Sequence, residues 1–166
     1  MDFDFRIAIQ QDLPEVCQLF LDAIKHMNSQ NIPQWDEIYP NRQTLFDDIQ
    51  KQQMYLLTEN DTVVSVVVLN AEQDAEYQTG NWRHAGGKFA VIHRLCVKAS
   101  NQNKGLGRRT MLIAEHELLR QGYDSVRLDA FSLNPFSQKL YESIGYQKTG
   151  EVTFRKGQFY LYEKLL

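Results

Sequence analysis

Hydrophobic positions change their period along this chain, and the changes mark its elements. Phe3, Phe5, Ile7 and Ile9 alternate with Asp4, Arg6 and Ala8, the two-residue period of a half-buried strand. Leu13, Val16, Phe20, Ala23 and Met27 then recur at spacings of three and four, which predicts a helix to about residue 28. Asp12 and Glu15 have the spacing of a capping box at its start. Residues 29–40 break the period and carry Trp35 and Tyr39 beside Pro33 and Pro40. A second helix is expected over 42–51, with Leu45 and Ile49 on one face. Strands at 54–58 and 62–69 flank Glu59-Asn60-Asp61 and read as a hairpin.

Residues 71–88 are polar and glycine-spotted, hold Tyr77, Trp82 and His84, and read as an excursion over a sheet. A strand over 89–97 leads through a polar turn into a helix over about 107–121. There Met111, Ala114 and Leu118 face one way, and Gly122 ends the helix. Val126, Leu128 and Ala130 alternate against Arg127 and Asp129 in a strand at 125–130. Asn134-Pro135 opens a fourth helix as cap and first-turn proline, and Gly145 closes it. Strands at 146–152 and 158–165 surround Lys156-Gly157. The order β-α-α-β-β-β-α-β-α-β-β, without repeat or linker, predicts one domain over 1–166. Its class is α/β (α+β): a mixed, mostly antiparallel twisted sheet of about seven strands flanked by four helices.

The 166 residues, 43% apolar and 23% charged, suffice for a packed core and argue against disorder. A net charge of −3 gives no global attraction to nucleic acid or to an anionic membrane. A phosphate-bearing ligand therefore needs a local basic pocket. Cys17 and Cys96 lie among apolar neighbours without metal-ligand spacing, as expected of buried thiols in a reducing compartment. The acidic Met1–Phe5 start lacks the pattern of a secretory leader, and the longest apolar run, 63–69, is strand-sized. A cytoplasmic location is expected.

The candidate chemistry centres on Gln102-x-x-Gly105-x-Gly107, between a strand and a helix. Backbone N–H groups left unpaired at a helix start converge with the helix dipole into an anion site. Glycines at 105 and 107 would let a diphosphate approach the main chain, with Lys104, Arg108 and Arg109 adding positive charge. Two glycines before a helix also make an ordinary tight turn. The P-loop pattern is absent, and Gly-x-Gly-x-x-Gly fails at Thr110.

Placed five residues after Val97, this motif resembles the coenzyme A pyrophosphate loop of the GNAT superfamily of N-acetyltransferases. That loop reads Gln/Arg-x-x-Gly-x-Gly/Ala after a Leu-x-Val strand; Ala99 stands where many members carry proline. A second segment, Asn134-x-x-Ser137-x-x-Leu140-Tyr141-x-x-x-Gly145-Tyr146, begins 27 residues past Gly107 and is similar to another family motif. The element order matches the family topology over essentially the whole chain. The resemblance implies a sheet splayed between strands 89–97 and 125–130, with the pantetheine arm of acetyl-CoA in the gap. It implies main-chain contacts from Leu95, Cys96 and Val97, and arm contacts from Asn134 and Ser137. Asn103, Lys104, Gly105, Leu106, Gly107 and Arg108 would hold the pyrophosphate, with Gln102 bracing the loop.

The resemblance also sets Tyr141 where the family often has a general acid for the leaving thiolate; the alternative is an aromatic that only packs. His93 shares a face with Leu95 and Val97 on an unbroken strand, and its ordinary pKa suits a base. Arylalkylamine acetyltransferases of the same superfamily carry a histidine at the matching place. The alternative is a half-buried histidine held by backbone, and a bulge would redirect it. Trp35, Tyr39 and Glu72, with Asp36 and Glu37, are candidates for binding the acceptor. The expected activity is direct acetyl transfer from acetyl-CoA to the primary amine of a small molecule in a ternary complex. A protein lysine or N-terminal amine is the alternative acceptor, and a non-catalytic acyl-CoA-binding module the alternative class. No nucleic-acid or membrane partner is expected, and both monomer and homodimer stay open.

Overall fold

The computed structural model describes residues 2–166. Seven strands form one sheet: β1 (Phe3–Ile7), β2 (Met54–Glu59), β3 (Thr62–Asn70), β4 (Phe89–Val97), β5 (Ser125–Phe131), β6 (Gln147–Phe154) and β7 (Gly157–Leu165). Four helices pack on it: α1 (Leu13–Ser29), α2 (Arg42–Gln50), α3 (Leu106–Arg120) and α4 (Pro135–Ser143). The strand order is β1-β2-β3-β4-β5-β7-β6, and only β4 and β5 run parallel. Elements and order follow the hydrophobic pattern, with bounds shifted by a residue or two.

Both faces of the sheet are covered, which explains the unbroken apolar run of β3. On one face α1 and α2 bury Val16, Leu19, Phe20, Leu45 and Ile49 against Leu56, Val66, Val68 and Cys96. On the other, Met111, Ala114 and Leu118 of α3 and Tyr141 of α4 pack on Val67, Ala90, Ile92 and Leu128. A third cluster joins Tyr77, from the 71–88 segment, to Val91, Phe131 and Leu161. Arg127 and Asp129 therefore do not face open solvent, as a simple alternation implies. Arg127 is clamped between the rings of Trp82 and Phe89, at 4.4 and 3.8 Å.

The start of α1 departs from the expected capping box. Asp12 makes no cap bond to the helix; it accepts from Ile9 N–H at 2.8 Å and pairs with both terminal nitrogens of Arg6. Glu15 instead accepts from Val63 N–H at 3.0 Å, tying α1 to β3. A cation and a strand edge offered stronger partners than the helix's own first turn. The β2–β3 turn behaves as read, with Asn60 and Asp61 both at positive φ, as a two-residue hairpin turn requires.

Two features prepare the site. β4 and β5 pair only from Phe89 to Val91 against Ser125 to Arg127, and then part. Within β4, Val68 lies opposite His93 and Val66 opposite Cys96, so one extra residue is inserted, and Arg94 takes φ 51°. This is a β-bulge. It moves Leu95 and Val97 onto the α3 face with Ile92, and leaves Cys96 on the α1 face.

Candidate active site

A cleft of about 780 Å³ opens where β4 and β5 part. Its floor is Leu95, Cys96 and Val97; one end reaches the 101–108 turn and the other Met27, Ile32 and Trp35. Asn134, Ser137 and Tyr141 of α4 form a side wall. These sequence-selected residues come together although they lie on three separate stretches of chain.

The turn leaves the start of α3 open. Gly105 caps α3 at φ 75° and provides no side chain to satisfy the helix's first N–H groups. A Cβ there would meet nothing within 4 Å, so the space beside this helix start is open. Gly107 differs: its absent Cβ would lie 3.3 Å from Leu140 Cδ2 and 3.6 Å from Val97 Cγ2. Gly107 thus lets α3 and α4 approach β4 while still lining the cleft. Gln102 Nε2 donates to Val97 O at 3.4 Å, bracing the turn onto the strand end. Asn103 and Arg108 line the cleft at this end, whereas Lys104 is exposed outside it. Arg109 points away and stacks on Phe3, 4.4 Å from the ring centroid. Lys139 of α4, which no sequence motif marked, contributes to the lining.

Asn134 caps α4 by accepting from Phe136 and Ser137 N–H, and its Nδ2 donates to Gln34 Oε1 at 2.8 Å. That bond fastens the α1–α2 loop to α4 across the Trp35 end of the cleft. Tyr141 is buried against Tyr146 and Tyr162, with its ring on the cleft wall. Burial, and then the nearby Asp129 carboxylate, push its phenol above the usual range, so it stays protonated. Burial likewise raises the Cys96 thiol, which makes this cleft residue a poor nucleophile.

The bulge redirects His93. It lies with Val91 and Cys96 on the α1 face, not with Leu95 and Val97, and it does not line the cleft. Its Nε2 is 2.8 Å from Asn70 Oδ1 and 2.9 Å from Glu72 O, two acceptors that assign the proton to this nitrogen. Burial, and then Arg94, pull its pKa down to about 4.

The acceptor-loop candidates divide. Trp35 lines the cleft while packing on Phe20 at 5.4 Å between centroids. Tyr39 sits beside the bulge, its hydroxyl accepting from Arg94 Nη1 at 2.8 Å. Glu72 is exposed and 3.8 Å from Lys51, outside the cleft. Asp36 is occupied: Arg155 grips both its oxygens at 2.9 and 2.7 Å, and Lys156 adds a third contact at 3.3 Å. The Arg155 guanidinium holds that carboxyl well below the usual range.

Asp129 and Tyr77, unmarked by any motif, meet on the α1 face of the parted strands. Tyr77 Oη donates to Asp129 Oδ2 at 2.5 Å, and Tyr77 is fully buried. Burial raises the Asp129 carboxyl to about 6, although the tyrosine bond opposes the shift. The only hint in the sequence was an acid inside a strand that proves covered on both faces.

A family model described as the acetyltransferase (GNAT) family matches residues 20–146. The chain belongs to that family and is an acyltransferase. Among curated proteins it is similar to S-(2-succino)cysteine N-acetyltransferase of Bacillus subtilis, 22% identical over 96% of this chain and 93% of that protein. Among solved structures, a GNAT-family acetyltransferase from Streptococcus agalactiae superposes with a TM-score of 0.86. It is 22% identical, with coverage of 99% of this chain and 95% of that one. The PaiA N-acetyltransferase of Thermoplasma acidophilum, solved with coenzyme A, gives 0.75 at 18% identity over the full length of both.

Proposed function

We propose that this protein transfers an acetyl group from acetyl-CoA directly to the primary amine of a small molecule. The observation that carries the reading is the continuity of one cleft from the α3 N-terminus, past the parted strand edge, to Tyr141 and Trp35. Acetyl-CoA, when bound, supplies the acetyl group as an activated thioester. Gly105 leaves the space that a diphosphate needs, and Asn103, Leu106 and Arg108 line the same end. Leu95, Cys96 and Val97 offer main-chain groups at the unpaired edge of β4 for the pantetheine amides and the acetyl oxygen.

Tyr141 is assigned as the acid. Burial keeps the phenol protonated until the C–S bond breaks, and the proton it gives to sulfur is replaced by the one the nitrogen sheds, so no phenolate is left in the cleft. The raised thiol of Cys96 argues against an acetyl-enzyme and for direct attack.

The acceptor end supports a small molecule over a protein segment. Trp35 is only 8% exposed, and Gln34 is bonded to Asn134 across the opening. The 71–88 segment is held down by buried Tyr77, by Trp82 Nε1 donating to Tyr77 O, and by Asn81 N–H donating to Thr149 O. The curated relative acts on S-(2-succino)cysteine, itself a small amino acid, in keeping with this reading.

The test is thiol release from acetyl-CoA with S-(2-succino)cysteine, S-carboxymethylcysteine, spermidine, tryptamine and an alanine-starting peptide. A small amine should be turned over faster than the peptide. Turnover of the peptide alone would move the protein to the protein-acetylating class. Failure of acetyl-CoA to raise the melting temperature would remove the donor assignment altogether.

A further inference from the structure

The deprotonation of the acceptor lacks a residue in the scheme above, and the cleft walls offer no free carboxylate. Asp129 is not among the lining residues either, but it stands between the α4 wall and the α1–α2 loop, close enough to both to act on Tyr141 and Tyr39. It lies on β5 two residues past Arg127, where pairing with β4 ends, on the face opposite α3 and α4. It is largely covered, forms no ion pair among the described residues, and is gripped through Oδ2 alone by buried Tyr77. The charged and titratable groups around it are Tyr77 and Asp74 from the 71–88 segment, Arg94 from β4, Tyr39 from the α1–α2 loop and Tyr141 from α4. Arg94 is the cation among them, and its guanidinium is committed to Asp48 and Tyr39.

We propose that Asp129 is the general base, oriented by Tyr77, that takes the proton from the acceptor's ammonium. The inference rests on the acetyltransferase reading. The two faces of the parted strands then divide the labour: Tyr141 approaches from the α4 side, Asp129 from the side of the acceptor loop. An ammonium is drawn to this carboxylate, whereas His93 Nε2 is already committed to Asn70 and the Glu72 carbonyl. An unpaired, largely buried carboxylate is costly to stability, and such a cost is retained where the group has work to do. A carboxyl raised to about 6 also matches general-base duty near neutral pH better than an imidazole lowered to about 4.

The step balances. Asp129 takes one proton from the ammonium, and the freed nitrogen pair forms the N–C bond to the acetyl carbon. The C–S bond breaks with its electron pair on sulfur, and Tyr141 protonates that sulfur. The second nitrogen proton restores the phenol, and the Asp129 proton passes to solvent. An ammonium and a thioester become an amide, a thiol and one released proton.

The test is Asp129→Asn, which keeps an oxygen to accept from Tyr77 but cannot hold the proton. With whichever amine of the panel is turned over best, kcat/KM should fall ~10²-fold and lose its acidic limb near pH 6. The melting-temperature rise with acetyl-CoA should persist, and Asp129→Glu should recover part of the rate together with the limb. A purely structural aspartate would lose neither rate nor limb on conversion to asparagine. Turnover of Asp129→Asn within threefold of the parent, or loss of the limb in His93→Gln in its place, overturns the assignment. If no panel amine reacts although acetyl-CoA still binds, it is the acceptor class that has failed. Carboxyl 13C titration of the parent protein then decides for Asp129: a midpoint near 6 supports the base, and one in the ordinary carboxylate range overturns it.

Discussion

Arg94 Nε lies 2.8 Å from Asp48 Oδ2, joining the one positive-φ residue of β4 to the second turn of α2. The pair is bidentate, with side chains only 12% and 8% exposed, and Tyr39 closes the group. The bulge that steers the cleft floor is thereby clamped to the helix beneath the acceptor loop. Asp48→Ala leaves a buried guanidinium without its carboxylate, a loss of about 3–5 kcal/mol. At roughly 2–4 °C per kcal/mol in a chain of this size, the melting temperature should fall by about 10 °C. Adding Arg94→Met should restore much of the loss, and a double variant as unstable as the single would refute the clamp.

Tyr141→Phe removes one oxygen from an otherwise apolar packing site. Turnover should fall by ~10²-fold or more while coenzyme affinity, read by calorimetry, stays within a few-fold. Unchanged turnover would leave Tyr141 as a packing residue.

The two glycines of the turn should separate. Gly105→Ala puts a Cβ on a residue at φ 75°, costing about 1–2 kcal/mol, and sets a methyl in the space beside the helix start. Acetyl-CoA affinity should fall along with stability. Gly107→Ala presses on Leu140 and Val97, so its main effect should be on the melting temperature of the ligand-free protein. Equal effects of the two on coenzyme affinity would argue against separate roles.

Cys96→Ala should keep turnover within several-fold, since a thiol held protonated by burial takes no part in direct transfer. Mass spectrometry of the protein with acetyl-CoA should find no acetyl group on Cys96; a stable adduct there would mean a two-step route.

Asp129 should leave a mark on stability as well as rate. Its folded pKa, about 6, is above the ordinary 3.8, so between those values the folded chain holds more of this proton than the unfolded chain does. The contribution is full below about pH 4 and is lost as pH rises through 6. Relative to the parent, Asp129→Asn should therefore gain in melting temperature from pH 4.5 to 7.5. A difference that does not change with pH would show that the carboxyl titrates normally.

Much of this molecule was legible from one dimension. The periods of two and of three to four, together with cap and turn signals, gave the seven strands and four helices in order. The turn chemistry of Asn60-Asp61, Asn134-Pro135 and Gly145 ended them near the right residues. Gln102-x-x-Gly105-x-Gly107 and the 134–146 segment each act through local backbone geometry, so their residues reach the cleft together. Local rules failed where a long-range partner outbid a near one. Asp12 left its helix for Arg6, Glu15 for Val63, and Asp36 is held by Arg155 across the fold.

Sequence by itself determined the elements, their order and the glycine turn before α3, because hydrophobic period and helix capping act within a few residues of chain. Only the tertiary structure decided which way the catalytic candidates face. One inserted residue at Arg94 turns His93 to the α1 side and Leu95 to the α3 side, a shift that no periodicity announces since it changes one dihedral pair. The parting of β4 from β5 and the covering of both sheet faces then make an ordinary alternating acid, Asp129, into a buried carboxylate beside Tyr77. Burial sets the charge state of a group, and burial belongs to the assembled fold.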